Sequence, residues 1–263
     1  MRIALCQLVS TPEPAANLEL VADGVRRAAE AGADLAVFPE AAMACFGTKL
    51  APIAEPLDGP WATEVRRLAD EAGIAVVAGM FTPADEGRVS NTLLVTGRGF
   101  DAHYDKIHLY DAFGFAESRT VAPGSEPLVV EVAGTKVGVT TCYDVRFPGL
   151  FTTLADRGAA VIVTAASWGA GPGKRDQWEL LTRARALDCT TWIAACGQAD
   201  PRTTGVEPSG KAPTGIGYSA VVSPLGEIRA QLADAPDVLV ADLDEDAVRQ
   251  ARESVPVLAN RQF

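Results

Sequence analysis

Three polar residues that lie far apart in the sequence each stand just past the end of a predicted β-strand. They are Glu40, Lys106 and Cys142. In α/β proteins the ligand sites gather at the carboxyl ends of the strands, so we expect these three side chains to meet. A carboxylate there can accept a thiol proton and later activate water, while an ammonium can stabilise a thiolate and the oxyanion of a tetrahedral intermediate. The set is therefore suited to nucleophilic catalysis through sulfur.

Cys142 stands where the β-branched run 136–141 gives way to a turn and then a helix. A thiol in that position lies near backbone N–H groups and the positive end of a helix dipole, and both lower the pKa of a thiol. An inert buried thiol explains the placement equally well. Taken singly, Glu40 is better explained as an acid at a helix N-terminus, and Lys106 as a solvated charge at a strand end.

Composition narrows the classes of protein to consider. The chain has 263 residues and a formal net charge of −11. This charge argues against nucleic-acid and anionic membrane partners, which need clustered Lys and Arg. The five cysteines are scattered and odd in number, which favours reduced thiols in the cytoplasm over a disulfide framework. The apolar run 1–9 is too short for a signal peptide and predicts a first strand, and no run is long enough to cross a bilayer.

A weak repeat organises the chain, in which an amphipathic helix ends at a glycine and a short apolar strand follows. Strands that are apolar on both faces are typical of sheets covered by other layers. We predict helices at about 15–32, 60–72, 147–157 and 174–189. Between them we predict strands, and the whole chain, 1–263, is interpreted as one mixed α/β domain with its helices outside and its sheet inside.

Several other segments have more than one explanation. Residues 223–226 predict a hairpin turn, and the long segment 199–215 is either a lid or a mobile surface loop. The only histidines, His103 and His108, could form a zinc site or a Cys–His pair with Cys142. Structural histidines are the better explanation, and we expect no metal and no cofactor.

The segments around these residues resemble a known family. They are 38–40 (Phe-Pro-Glu), 104–111 (Tyr-Asp-Lys-Ile-His-Leu-Tyr-Asp) and 142–148 (Cys-Tyr-Asp-Val-Arg-Phe-Pro), and the likeness continues through 177–186 and 217–227. In this order they resemble the nitrilase superfamily, the carbon–nitrogen hydrolases. The resemblance covers essentially the whole chain.

This resemblance implies a fold, a site and a class of reaction. The fold would be a four-layer α-β-β-α sandwich, paired through helices into a homodimer or a larger homo-oligomer. The catalytic triad would be Glu40, Lys106 and Cys142, with Glu117 as a second glutamate that fixes the lysine and helps to orient the substrate. The substrates would be a small amide and water. The chain looks most like the amidases of omega-amides and of deaminated glutathione, although Gly149 replaces a glutamate usual in that branch.

From these residues we infer a hydrolase that cleaves an amide through a cysteine thioester, with the Tyr143 backbone N–H and Lys106 holding the oxyanion. Arg146 either binds a substrate carboxylate or forms a structural ion pair with Asp144 or another acid. Trp168 either walls the pocket or serves packing alone. The alternatives are a nitrilase, an N-carbamoyl amidase, and a catalytically silent member that binds ligands.

Overall fold

The computed structural model describes residues 1–112, 114–208, 210 and 212–262. Its five α-helices in these ranges are α1 (Pro14–Glu30), α2 (Pro60–Ala72), α3 (Pro148–Asp156), α4 (Lys174–Cys189) and α5 (Glu245–Ser254). The strands of the first half are β1 (Arg2–Gln7), β2 (Leu35–Val37), β3 (Ala75–Pro83), β4 (Val89–Gly97), β5 (Phe100–Asp105), β6 (Asp111–Ala112), β7 (Phe115–Ala116) and β8 (Val121–Ala122). The strands of the second half are β9 (Leu128–Val132), β10 (Thr135–Thr141), β11 (Val161–Ala166), β12 (Trp192–Gly197), β13 (Ala220–Val222), β14 (Ile228–Gln231) and β15 (Asp237–Asp242).

Most of these strands form two large sheets. In the first sheet the order is β15-β1-β2-β3-β4-β5, and β8 pairs with β4. In the second sheet the order is β14-β13-β12-β11-β10-β9. Each sheet has three parallel strands at its centre, β1-β2-β3 in the first and β10-β11-β12 in the second. Because β5 is two antiparallel steps from β3, its carboxyl end lies at the same edge of the first sheet as that of β3.

The two sheets pack face to face between helices. Alternate residues of a strand point to opposite faces, so Leu5 and Val37 enter the core between the sheets, while Ala4 and Ala36 enter a second core beneath α1 and α2. On the other side, α3 and α4 pack on the second sheet through a third core that includes Phe151. The fold is therefore the four-layer α-β-β-α sandwich, as the family resemblance implied.

The local predictions are confirmed for the four helices, with small shifts at their ends. Helix α1 ends at Glu30, and Gly32 then takes a left-handed φ of 70°. Helix α2 ends at Ala72, and Gly73 then takes a left-handed φ of 67°. The sequence analysis missed α5, whose charged sequence buries only Val248 and Ala251. It also missed the two-residue strands β6, β7 and β8, which are too short to show a period.

The segments between elements follow the sequence in part. At the predicted turn 223–226, Gly226 N donates to Ser223 O, and β13 and β14 pair antiparallel on either side. In the segment 199–215, residues 209 and 211 lie outside the described residues, and Pro201–Thr204 forms a short 3₁₀ helix. Within the described ranges no helix is both long and apolar enough to span a membrane.

Candidate active site

The ends of the strands of the two sheets meet at one cavity. Glu40 and Lys106 follow β2 and β5 of the first sheet, and Cys142 follows β10 of the second. The three side chains are nearly inaccessible to solvent, with exposures of 0%, 2% and 7%. Together with Glu117 they line one recess. The structure thus brings together the four residues that the sequence analysis proposed as catalytic.

Lys106 lies between two carboxylates. Its Nζ atom donates to Glu40 Oε1 at 2.9 Å and to Glu117 at 2.9 Å and 3.1 Å. Burial by itself lowers the pKa of Lys106, but the negative charges of Glu40 and Glu117 outweigh it and hold this pKa well above its ordinary value. The lysine is therefore a permanent ammonium at the bottom of the cavity.

The Glu40 carboxylate is held from both sheets. Asn91 Nδ2, on β4 of the first sheet, donates to Glu40 Oε1 at 2.8 Å. The backbone N–H of Ser167, which follows β11 of the second sheet, donates to Glu40 Oε2 at 2.8 Å. Asn91 also donates to Glu117 Oε1 at 3.2 Å, so one amide joins the two acids. The sequence analysis missed Asn91, whose only signal is a polar residue inside a buried strand.

Close backbone contact fixes the turn that carries Glu40. A Cβ atom added at Gly79 of β3 would lie 2.6 Å from Ala41 N and 2.7 Å from Pro39 O. Only glycine allows the strand to approach this turn so closely. Gln198, which follows β12, donates from Nε2 to the Glu40 carbonyl at 3.1 Å, so the turn is also tied to the second sheet.

Cys142 sits on a strained elbow. Its φ of 46° is left-handed, a region that residues with a Cβ rarely adopt and that costs about 1–3 kcal/mol. The residue opens the short 3₁₀ helix Cys142–Arg146 directly after β10. Such strain is maintained only where the surroundings over-determine the backbone, so the elbow is held by its neighbours.

The pKa of the Cys142 thiol is raised well above its ordinary value. Burial is the main cause, and the Glu40 charge adds to it, while the Lys106 charge opposes both. Our sequence-based expectation of a lowered thiol pKa is therefore wrong. The 3₁₀ helix that begins at the cysteine has only five residues. The effect of its dipole on the thiol is outweighed by burial next to two carboxylates. A thiol with a raised pKa would need a nearby base in order to act as a nucleophile.

We accordingly expect Cys142 to be a neutral thiol in the resting protein at neutral pH. The ultraviolet absorbance of thiolate should be the same in the wild type and in Cys142→Ser up to about pH 8.5, the ordinary thiol range, and differ only above it. A thiolate signal at neutral pH that disappears in the variant would contradict the raised pKa.

The rest of the cavity is aromatic and cationic. Arg146 lines it, with its guanidinium 5.3 Å from the Trp168 ring centre and 5.9 Å from that of Tyr143. Its Nη2 atom donates to Gln177 Oε1 at 2.7 Å, and its buried Nε atom has no partner within the described residues. Among the described residues, neither Asp144 nor another acid forms an ion pair with Arg146, so the structural ion pair is wrong, and the binding of a substrate carboxylate stays a prediction.

Trp168 is both a wall of the cavity and a packing residue. It lines the cavity, and it packs against Trp178 with ring centres 5.3 Å apart. Its Nε1 atom donates to the carbonyl of Lys174, a second cationic residue of the cavity that the sequence analysis missed. Burial, followed by the charge of Arg146, lowers the pKa of Lys174. The glycine-rich stretch before Lys174 gave no signal that its side chain would face this recess.

The histidines have structural contacts. His108 Nδ1 lies 2.7 Å from Asp144 Oδ1, and its ring stacks on Phe147 with centres 3.7 Å apart. His103 lies on the edge strand β5. In the described ranges no three His, Cys, Asp or Glu side chains are grouped as a metal site would require.

With this geometry in place, comparison with known proteins identifies the family. Residues 2–253 match the model of the carbon–nitrogen hydrolases, and the chain belongs to that family. It is 59% identical to a hydrolase of Mycobacterium tuberculosis, over 99% of this chain and 95% of that protein. It is 35% identical to the deaminated glutathione amidase of Escherichia coli O157:H7, over 100% of this chain and 98% of that protein.

Solved structures agree in fold. A CN-hydrolase superfamily protein of Xanthomonas campestris, with an arsenic adduct in its active site, superposes with a TM-score of 0.87 at 26% identity, covering 100% of this chain and 97% of that one. A mutant amidase of Nesterenkonia, with the acetamide moiety of fluoroacetamide on its active-site cysteine, superposes with a TM-score of 0.81 at 26% identity, covering 100% and 94%. The chain is thus a hydrolase of the nitrilase superfamily, related to amidases.

Proposed function

We propose that this protein hydrolyses a small linear amide to a carboxylic acid and ammonia through a thioester on Cys142. The observation that carries the proposal is the buried Lys106 ammonium, clamped by Glu40 and Glu117 at the bottom of the cavity that Cys142 lines. A scaffold or a ligand-binding protein would have no use for two buried carboxylates and one buried ammonium around a thiol. The cysteine adduct in the Nesterenkonia amidase supports a nucleophilic cysteine here.

In the first half of the reaction, Glu40 accepts the Cys142 thiol proton as the sulfur forms a bond to the amide carbonyl carbon. The oxyanion is stabilised by Lys106 Nζ and by the N–H of Tyr143, which lies in the first turn of a helix and has no partner within it. Glu40 then gives the proton to the leaving nitrogen. The C–N bond breaks, and ammonia departs from the thioester.

In the second half, a water molecule replaces ammonia. Glu40 accepts one water proton while the hydroxyl attacks the thioester carbonyl, and Lys106 again stabilises the oxyanion. The C–S bond breaks and the sulfur takes the proton back from Glu40. Amide and water have then become acid and ammonia, and the lysine has kept its proton throughout, consistent with its raised pKa.

We further propose that the substrate carries a carboxylate at the end remote from the amide. Two cations, Arg146 and Lys174, line the cavity apart from the lysine that the two glutamates neutralise. The planar guanidinium suits a carboxylate, which it can bind with two hydrogen bonds. The similarity to deaminated glutathione amidase supports this class. At Gly149 an added Cβ would meet nothing within 4 Å, so the glycine leaves open space beside the elbow.

A substrate panel tests the proposal. Purified protein is given a dicarboxylic acid monoamide, a neutral amide of equal length, the matching nitrile and an N-carbamoyl compound, and ammonia release is measured. We expect the monoamide to have the highest kcat/KM. Arg146→Met should raise its KM by roughly 10- to 100-fold, the effect of losing hydrogen bonds to a charged group, and leave the neutral amide unaffected.

The matched control is Arg175→Met, next to Lys174 in sequence. Arg175 is half exposed and pairs with Glu179, and we expect its replacement to leave KM unchanged. Equal turnover of charged and neutral amides, with equal effects of Arg146→Met on both, would reject the carboxylate subsite. Preference for the nitrile or the carbamoyl compound would reject the amidase and favour those alternatives.

A further inference from the structure

Asp144 is a fully buried carboxylate that contacts both sides of the candidate site. Its Oδ2 atom accepts hydrogen bonds from Thr141 N at 2.8 Å and from the Tyr104 hydroxyl at 2.7 Å. Its Oδ1 atom accepts from His108 N at 3.0 Å and lies 2.7 Å from His108 Nδ1. Tyr104 and His108 stand two residues before and two residues after Lys106, and Thr141 immediately precedes Cys142.

The two segments that Asp144 joins come from different sheets. Lys106 follows β5 at the edge of the first sheet, and Cys142 follows β10 in the second. Strand pairing within either sheet therefore fixes only one of the two groups. The ring of His108 stacks on that of Phe147, and the two planes are nearly parallel, at 6°. This stack adds a second contact between the same segments. Burial and the Asp144 charge raise the pKa of the Tyr104 phenol, so its hydroxyl remains a donor at neutral pH.

We infer that Asp144 is a positioning residue, which sets the distance between the Lys106 ammonium and the Cys142 sulfur and holds the strained cysteine backbone in place. The inference rests on the proposed reaction, in which ammonium and sulfur must address the same carbonyl group. Through Thr141 N the carboxylate restrains the residue before the left-handed Cys142. Through Tyr104 and His108 it restrains the backbone on both sides of the lysine.

The pH at which Cys142 is alkylated reports on the distance between the Lys106 ammonium and the thiol, and this measurement needs no substrate. The charged or titratable groups that act electrostatically on Cys142 are Glu40, Lys106, Glu117, Tyr110 and Lys174. Lys106 is the cation among them that lowers the pKa of the thiol. If the lysine moves away, the alkylation of the thiol should require higher pH.

The test uses Asp144→Asn, which keeps the size of the side chain and replaces one acceptor oxygen by a donor. We expect kcat to fall roughly 100-fold with little change in KM, as for a small misplacement of reacting groups. The rate of Cys142 alkylation by iodoacetamide, followed by mass spectrometry, should titrate at higher pH than in the wild type. Tyr104→Phe removes the hydrogen bond to Asp144 and a longer one, 3.4 Å, from Ile107 N, and it should change both quantities in the same direction by less.

The control is Thr140→Val, which removes a buried hydrogen bond to Thr164 from the same strand, β10. It should lower stability without moving the alkylation profile. If Asp144→Asn and Tyr104→Phe keep the wild-type kcat and alkylation profile, or lower only the melting temperature, Asp144 is structural and the inference fails. If Asp144→Asn does not fold, the kcat and the alkylation profile of Tyr104→Phe decide between the two roles. Should the wild type hydrolyse no amide, the proposed function fails while the alkylation profiles still test the position of Lys106.

Discussion

Protein in which Cys142 is replaced by Ala is expected to release no ammonia above background. Removal of the nucleophile takes away the covalent route, and losses on the order of a million-fold in kcat are typical of such changes. The fold should persist, because Ala keeps the Cβ atom and the contact of Sγ with the Ser167 carbonyl is long, at 3.8 Å. The measurements are ammonia release and the melting temperature of both proteins.

The control for this change is Cys45→Ala, which alters a half-buried thiol whose contact is Thr48. It should retain full turnover. Wild-type protein quenched in acid during turnover should also carry an acyl group on Cys142, detected as added mass on its peptide. Turnover that survives in Cys142→Ala would remove the cysteine from the mechanism, whatever its position in the cavity.

Replacing Lys106 by Met is expected to abolish activity and also to weaken the fold. Lys106 is 2% exposed, and the change leaves Glu40 and Glu117 buried beside each other without a cation. Breaking a buried ion pair by removing one partner costs about 3–5 kcal/mol of unfolding free energy. Urea denaturation of the two proteins measures this difference, and Met keeps much of the volume of the lysine stem.

The difference in unfolding free energy between the wild type and Lys106→Met should change with pH in a definite direction. The pKa of Lys106 is raised in the folded state, so its contribution to stability is complete below its ordinary value of about 10.4 and is lost as pH rises through the folded-state pKa. We therefore expect the gap in unfolding free energy between the wild type and Lys106→Met to be constant from about pH 7 to 10 and to shrink at higher pH.

The control is Arg26→Met, which breaks exposed pairs with Asp23 and Glu30 on α1. Exposed pairs contribute about 0–1 kcal/mol, so this variant should stay close to the wild type in stability. If Lys106→Met were as stable as the wild type, the lysine would not be needed to stabilise the two buried acids.

The sequence predicted the parts of the site that depend on local pattern. Glu40, Lys106 and Cys142 each follow a predicted strand, and the local sequence pattern identifies strand ends without any knowledge of how the sheets pack. The family motifs then supplied Glu117. Asn91 and Lys174 could not be predicted in the same way, because their roles depend on which neighbour each side chain faces after the sheets and helices have come together.

The raised pKa of Cys142 could not be predicted from the sequence for the same reason. The pattern around the cysteine indicates a strand followed by a helix, and a helix dipole alone lowers the pKa of a thiol. Only the packed structure reveals a helix of five residues and a sulfur buried beside Glu40. The helix α5 was missed for the opposite reason, since its sequence carries many charges and few apolar residues, and its Val248 is buried only in the core that forms between the two sheets.

The division of the reactive groups between two sheets has a consequence for how such an enzyme can change. The proposed base and the ammonium belong to one half of the sandwich and the sulfur to the other, and hydrogen bonds such as those from Ser167 N to Glu40 and from the Tyr104 hydroxyl to Asp144 join the two halves. Small slides of one half over the other alter the spacing of the reacting atoms. Natural variation can therefore tune turnover through apolar residues that never meet the substrate.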